Sequence, residues 1–402
     1  MPAAASEKRG WRAVPRTVWA LWLVSLLMDT SSEMIHGLLP VFLVAGLGAS
    51  AATVGFIEGV GEATASIVKV FSGWLSDRLG KRKLLTVLGY GLAAVSKPLF
   101  PLAVDPGHVL AARFADRVGK GIRGAPRDAL VADVTPPQIR GVAFGLRQAL
   151  DTVGAFAGPL IAIGLMVLLA GNIRAVFWWA LIPAGLAVLL LIVAVKDPPA
   201  SADPDARKPI SFREARAMPR AFWAVVGFGI VFSLARFSEA FLVLRANEQG
   251  LALVLTPVVL VVMNLVYSAA ATPAGALSDR VDRRVVLAAG LAVLIAADLV
   301  LAFWSGVAGA LVGVALWGLH MALTQGLLAA LVADSAPPRL RGTAFGVFNL
   351  AAGVALLAAS TLAGVLWDRL GAAATFQAGA VFAAVSLVGL LVVVLRWPKR
   401  AL

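Results

Sequence analysis

Ser25, Asp29, Ser32, Glu33 and His36 recur at helical spacing inside a long apolar run, so they form one polar stripe on an otherwise oily cylinder. A second stripe, Glu58, Glu62, Ser66 and Lys69, follows on the next run. Carboxylates so placed are costly unless they face water, meet a cation or accept a proton. Desolvation and neighbouring like charge both favour a protonated carboxyl, which makes Asp29, Glu33, Glu58 and Glu62 candidate proton carriers. Counted from the basic end of its run, Asp29 lies roughly 16 Å deep at 1.5 Å per residue, near the middle of a bilayer. His36 is a candidate substrate contact on the same stripe. The plainer reading of any one of these residues is an internal strut, such as a Glu62–Lys69 pair.

Further on, Arg113, Asp116, Arg117, Lys120, Arg123, Arg127 and Asp128 crowd a single run. Lys120, Arg123 and Arg127 fit a solvated cytoplasmic mouth, and for the last two that anchoring role is the expected one. Arg147 and Asp151 stand one turn apart and can neutralise one another. Asp151 joins the proton-coupling candidates and Arg147 the substrate-binding ones. In the second half Arg236 and Glu239, three residues apart toward the outer side, are read as substrate contacts or as a salt bridge. Asn264, Tyr267, His320, Thr324, Gln325, Asn349 and Gln377 offer hydrogen bonds, with Asn264 and Gln325 foremost as substrate contacts. Lys97 and Asp298 occupy corresponding places in the two halves and receive no role.

The elements that hold these groups follow from composition. With 402 residues, 60% hydrophobic and 14% charged, the chain is too apolar for an ordinary soluble domain. Twelve runs are long enough to cross a bilayer: 17–45, 51–76, 83–103, 107–131, 141–169, 173–195, 221–245, 251–277, 284–304, 307–332, 342–366 and 373–396. The spacing predicts an all-α integral membrane protein. A net charge of +13 would suggest nucleic acid in a soluble protein, but here Lys and Arg fall in the short turns, so no nucleic-acid partner is expected. Alternate connections are basic, from the N-terminal Lys8, Arg9, Arg12 and Arg16 to the Arg396–Arg400 tail, which places both termini in the cytoplasm and the chain in the cytoplasmic (inner) membrane. The first run is long and carries Asp29 and Glu33, so it is read as a retained span.

With no cysteine, disulfides and thiolate metal sites are excluded. No nucleotide loop, metal-ligand cluster or nucleophile–base set stands out, so neither catalytic residues, a cofactor, a bound metal nor enzyme activity is expected.

The chain repeats itself. Gly73-Trp-Leu-Ser-Asp77-Arg78-Leu-Gly80-Lys81-Arg82 returns as Gly275-Ala-Leu-Ser-Asp279-Arg280-Val-Asp282-Arg283-Arg284. Leu-Val-Ala-Asp133, with Arg140-Gly141 after it, returns as Leu-Val-Ala-Asp334 with Arg341-Gly342 at nearly the same offset. The halves therefore share one topology: a bundle over 1–195, a polar, proline-rich cytoplasmic linker over 196–219 and a second bundle over 220–402.

The Gly-x-x-x-Asp-Arg-x-Gly-x-Arg-Lys loop between the second and third spans resembles the loop motif of the major facilitator superfamily, and its degenerate copy stands where that family places it. The resemblance covers nearly the whole chain. It implies twelve transmembrane helices in two pseudo-symmetric six-helix bundles, working within the lipid bilayer by alternating access on a small-molecule substrate; since each chain contains both halves needed for a pathway, a functional monomer is expected.

Arg117-Val-Gly-Lys120-Gly121 resembles the family's fourth-helix motif, in which the arginine is implicated in proton transfer; Lys120 stands where glutamine is common. Gly145, Gly154, Gly158 and Pro159 look like the family's antiporter motif, although its terminal glycine pair is replaced by Ala162 and Ile163. The resemblance further implies a conformational gate at Gly73, Asp77, Arg78, Gly80, Arg82, Asp128, Gly154, Gly158, Pro159, Asp279 and Arg280, with Asp77, Arg78 and Asp128 as an interhelical latch. In this family the third and ninth spans, which carry Lys97 and Asp298, lie at the periphery.

The expected function is a proton-coupled antiporter, resembling bacterial drug and toxic-compound exporters, that expels a small cationic or zwitterionic compound. Open alternatives are a proton-coupled importer of a small solute or metal chelate, a divalent-metal exporter and, outside transport, a membrane receptor.

Overall fold

The computed structural model describes residues 14–79, 81–136, 139–196, 218–337 and 340–396. The regular structure among them is helical, as a chain immersed in hydrocarbon requires: there every backbone polar group must be satisfied within its own segment. The first bundle comprises α1 (Arg16–His36), α2 (Ala51–Leu79), α3 (Arg82–Ser96), α4 (Pro106–Val134), α5 (Arg140–Leu168) and α6 (Leu181–Ala194). The second comprises α7 (Arg220–Ala235), α8 (Val258–Arg280), α9 (Arg283–Phe303), α10 (Val307–Ser335), α11 (Arg341–Leu370) and α12 (Ala372–Arg396). Residues 197–217 of the expected 196–219 linker, the basic Lys8, Arg9 and Arg12, and the tail after 396 lie outside the described residues.

Among the described residues, ten segments are long and apolar enough to span a membrane, by length and composition alone. The two long helices that fall short are α2 and α4, which carry the acidic stripe and the arginine cluster. They tolerate those charges because they pack on each other, with α11 and α3 on their other sides. On α4, Arg113, Asp116, Arg117, Arg123 and Arg127 are all buried. Asp105 caps this helix, accepting from the Gly107 and His108 backbone N–H groups at 2.7 and 3.1 Å. The His108 N–H, then that of Gly107, holds the Asp105 carboxyl below the usual carboxylate range.

Two spans expected to be continuous are interrupted. α1 stops at His36 and resumes as Leu39–Val41 and a π-helical turn, Phe42–Gly46. α7 stops at Ala235 and resumes as Ala240–Glu248. At the second break, side chains take over backbone bonding: the Ser238 N–H donates to Ser360 Oγ at 3.1 Å, and Ser238 Oγ accepts from the Ala240 N–H at 3.2 Å. Hydropathy cannot register such breaks, because the residues on either side of them are equally apolar.

The repeat is visible atom by atom. Arg82 pairs with Asp133 at 2.5 Å, and 201 residues later Arg283 pairs with Asp334 at 2.9 Å. Arg140 Nε donates to Ala132 O at 3.1 Å, and Arg341 Nε to Ala333 O at 3.1 Å. Each pair ties the start of one helix to the end of a neighbour around the motif-bearing turns.

The bundles meet through α2 against α11 and α5 against α8. Contact is close at the end away from the termini. There a Cβ on Gly59 would come within 2.9 Å of the Leu357 backbone, one on Gly55 would strike Ser360 O, and one on Gly364 would strike Ala51 O. Asp368 of α11 accepts from the Ala51 and Ala52 N–H groups at 2.9 and 2.8 Å, capping α2. One buried cluster at this end draws on both bundles, joining Leu39, Phe42 and Phe177 to Phe241, Leu260 and Ala363. Toward the termini the cores separate, one around Leu21, Trp22 and Ala143, the other around Phe222, Val226 and Phe348. Gly145, Gly275 and Gly342 there have open space where a Cβ would stand. The interior is thus sealed at one end and parted at the other.

Candidate functional site

The parted interior holds two lobes, of about 440 and 430 Å³, that share Glu33, Glu62, Ser66, Lys120, Ala155 and Asn264 on their walls. The deeper lobe is bounded on the second-bundle side by the α7 break, whose Arg236, Phe237, Ser238 and Glu239 all line it, beside Phe232 and Trp317. Irregular backbone at membrane depth is tolerated where it lines a cavity or is buried in protein. The lobe nearer the termini adds Asp29, Lys69, Arg147, Asp151 and Tyr267.

The first bundle's acids are bound into a chain of pairs. Glu58 Oε2 meets Arg113 Nη2 at 2.5 Å and His36 Nε2 at 3.6 Å, and His36 Nδ1 lies 3.5 Å from Glu33. Arg117 reaches Glu62 at 3.2 Å and Asp116 at 4.0 Å. Asp116 is held more tightly by Lys97, at 3.0 Å, and Lys97 also donates to Ser32 Oγ at 3.0 Å. Arg147 bridges Asp128 at 2.8 Å and Asp151 at 3.2 Å, while Ser25 Oγ donates to Asp151 at 2.8 Å and accepts from Arg127 at 2.6 Å. Asp29 has the loosest contact, 3.8 Å from Arg123.

Several expectations are corrected by this geometry. Arg123 and Arg127 are not solvated anchors. Arg123 stacks over the Tyr90 ring at 4.6 Å and Arg127 bonds to Ser25, so the mouth-facing faces of α4 turn inward on α3 and α1. Glu62 pairs with Arg117, not with Lys69. No Arg236–Glu239 salt bridge forms among the described residues, because the α7 break separates them from helical spacing. Lys97 and Asp298, on spans the resemblance puts at the periphery, are themselves buried, at 1% and 0% exposed. His320 and Thr324 are buried away from the cavity, with His320 Nδ1 2.8 Å from Gly290 O, and Gln377 is exposed elsewhere.

Lys69, Lys120, Arg236 and Glu239 make no ion pair among the described residues, yet all reach the cavity. Asn264, Gln325 and Asn349 line it as well, and Asn264 Nδ2 donates to Ala155 O at 3.4 Å across the bundle interface. Gly154 and Gly158 let α5 lie on α1 at the acidic stripe: a Cβ on Gly158 would come within 2.7 Å of Glu33 Cβ and of Thr30 O. Pro159 follows within the helix.

Of the gate residues, Gly73 faces Ala125, and Arg78 lies over the Trp74 ring at 5.5 Å. Gly80 and the side chains of Asp77 and Asp279 fall outside the described residues, and Arg280 closes α8. Asp128, expected in the latch with Arg78, is instead engaged by Arg127 and Arg147. The aromatic wall of Phe232, Phe237 and Trp317 escaped the sequence reading, because aromatic residues in an apolar span look the same whether they face lipid or a cavity. The Phe237-Ser238 pair, flanked by Arg236 and Glu239 in an otherwise apolar stretch, was the available signal.

A family profile for the Major Facilitator Superfamily matches residues 21–267 and 246–402. The chain belongs to that superfamily. An uncharacterised MFS-type transporter of Methanocaldococcus jannaschii is 31% identical over 93% of this chain and 94% of its own. The inner membrane transport protein YajR of Escherichia coli is 27% identical over 92% of this chain and 82% of its own. The multidrug resistance protein MdtH of Photorhabdus laumondii matches at 30% identity over 35% of each chain. Among solved structures, a POT family transporter in complex with 5-aminolevulinic acid superposes with a TM-score of 0.80 over 97% of this chain and 98% of that one, at 14% identity. At that identity the likeness is one of fold. Fold, family and relatives together make the chain a multi-pass secondary transporter of small molecules rather than an enzyme.

Proposed function

We propose that the protein is a proton-coupled antiporter of the cytoplasmic (inner) membrane, expelling a small zwitterionic or cationic compound as its bundles, 1–195 and 220–402, rock about the cavity. The observation that carries this reading is the seating of Gly154 and Gly158 against Thr30 and Glu33, which sets the antiporter-like helix directly on the acidic stripe. A small shift of α5 along α1 changes the surroundings of Asp29, Glu33 and Asp151 together, and so links proton occupancy to the inward/outward balance. Glu58 is a fixed strut, sealed with Arg113; Asp29, with its 3.8 Å contact, is the exchangeable group, and Glu33 and Glu62 stand beside it. Arg117 holds Glu62 and tunes it.

The cargo's charge follows from what is left unpaired. Glu239 suits an ammonium, and Lys120 and Arg236 suit a carboxylate or similar anion, so a zwitterion satisfies both. The basic connections favour termini, and with them the parted end, on the cytoplasmic side. YajR's description as an inner membrane protein and MdtH's as a multidrug resistance protein agree with the location and the direction. Each chain carries both bundles, so a monomer suffices.

The test uses everted vesicles containing the full chain, energised to an acid lumen, with a pH-sensitive dye and a panel of zwitterionic and cationic antibiotics and dyes. Addition of a transported compound should alkalinise the lumen in the wild type and not in Asp29→Asn. Further acidification on addition would mark a symporter and overturn the proposal.

A further inference from the structure

Asp298 sits on α9 with no exposed surface, and neither carboxylate oxygen has a hydrogen-bond partner. The repeat shows how unusual this is. In the first bundle the matching position is Lys97, immediately after α3, paired at 3.0 Å with Asp116 on α4. In the second bundle, 201 residues on, Lys97 becomes Asp298 and Asp116 becomes Trp317, whose Nε1 is also buried without a partner. The second copy therefore has an acid where the first has its base, and an indole where the first has that base's countercharge. A lone carboxylate in a dry, low-dielectric site must be neutralised from solution.

The surroundings select the neutraliser. A Cβ placed on Gly379 of α12 would lie 2.7 Å from Asp298 Oδ2 and 2.9 Å from Phe237 Cε1, so the site is packed to contact. A metal ion would need about six oxygen ligands, and no group of residues suited to a metal occurs among the described residues. Nor does a protein cation serve. His320 of α10 is turned to Gly290 O, and Arg245, which bonds Leu301 O one turn away on α9, is engaged by Glu248 at 2.7 Å. Arg236 and Glu239 line the cavity, where Asp298 does not, and no charged residue of α8 or α12 reaches the carboxyl.

We infer that Asp298 is a second proton-binding site, in the second bundle, which exchanges its proton with the central cavity through the α7 break past Phe237. Phe237 is the natural door. It belongs to the unwound residues between Ala235 and Ala240, lines the cavity on one side and meets Asp298's neighbourhood on the other. A proton bound there travels with the second bundle, whereas the acids of α1 and α2 travel with the first.

The experiment is infrared difference spectroscopy of the purified full-length protein in lipid, transferred from H₂O to D₂O. The wild type should show a carboxylic C=O band that shifts slowly on deuteration and is lost in Asp298→Asn. Phe237→Ala should speed that shift about tenfold or more, as removal of a local barrier does in hydrogen exchange. Should Asp298→Asn not fold, Asp298→Glu keeps the acid and must move the band. A wild-type spectrum unchanged by substitution at 298, or a band that exchanges at the same rate in Phe237→Ala, overturns the inference.

Discussion

Glu58 and Arg113 close at 2.5 Å with side chains only 2% and 3% exposed, making the most deeply sealed ion pair on the cavity wall. A pair so removed from water contributes little as a unit, but removing one partner strands the other. Glu58→Ala should therefore lower stability by about 3–5 kcal/mol. The double substitution Glu58→Gln with Arg113→Met should recover most of that loss. Thermal unfolding in one detergent, compared across wild type, single and double variants, measures both. A double variant no more stable than Glu58→Ala would show that the pair is a functional switch rather than a strut.

The paired turns give the contrasting case. Arg283 and Asp334 are 44% and 43% exposed, so water and salt screen them. Such a pair is worth about 0.2–1 kcal/mol. Asp334→Asn should change the unfolding midpoint hardly at all, whereas Asp116→Asn, which strands the buried Lys97, should lower it clearly. Equal effects would mean that the turn pair is coupled to more than its own contact.

Much of this architecture was legible in the residues themselves. Apolar runs, basic turns and the doubled Gly-x-x-x-Asp-Arg loop fix twelve helices and two bundles, because hydrocarbon leaves a spanning chain few choices. The acidic stripes of α1 and α2 were visible from spacing, and they do face the cavity. What could not be read was pairing. Nothing along the chain says that Glu58 chooses Arg113, 55 residues away, over the nearer Lys69, since that choice is made by the packing of α2 on α4. The α7 break was hidden for a related reason: its stabilising hydroxyl, Ser360, comes from α11, 122 residues later.

Asp29 and Glu58 lie on successive helices but differ in how firmly they are held, at 3.8 and 2.5 Å from their cations. With a transported compound in hand, Asp29→Asn should abolish pH-gradient-driven accumulation in everted vesicles while leaving compound-for-compound exchange within a few-fold of wild type. An antiporter with its proton carrier neutralised still alternates when loaded. Retention of full pH-driven accumulation in Asp29→Asn would move the coupling role to Glu33 or Glu62.

The glycines at the sealed end make the conformational state testable without any cargo. A side chain on Gly55 would collide with Ser360 O and so penalise closure of that end by about 1.5–3 kcal/mol, more than a tenfold shift at 1.4 kcal/mol per decade. The chain contains no cysteine, so Lys69→Cys can be labelled alone with a maleimide that reaches it through the parted end. In a Gly55→Val background the labelling rate should fall at least tenfold as the population moves to the opposite state. An unchanged rate in a protein with a normal unfolding midpoint would mean that the α2–α11 contact does not control access.

Ser360 is fully buried and its hydroxyl receives the Ser238 N–H inside the α7 break. Ser360→Ala leaves that N–H without its protein partner, at a cost of about 1–3 kcal/mol. The neighbouring Thr361 hydroxyl bonds only its own helix, at Leu357 O, and Thr361→Ala removes no cross-helix bond. Ser360→Ala should therefore lower the unfolding midpoint distinctly and Thr361→Ala only slightly. Ser360→Thr, which retains a donor–acceptor hydroxyl on a bulkier side chain, should fall between them. If instead Ser360→Ala matches Thr361→Ala, the break is held by the rigidity of the flanking helices, and Arg236 and Glu239 owe their place in the cavity to packing alone.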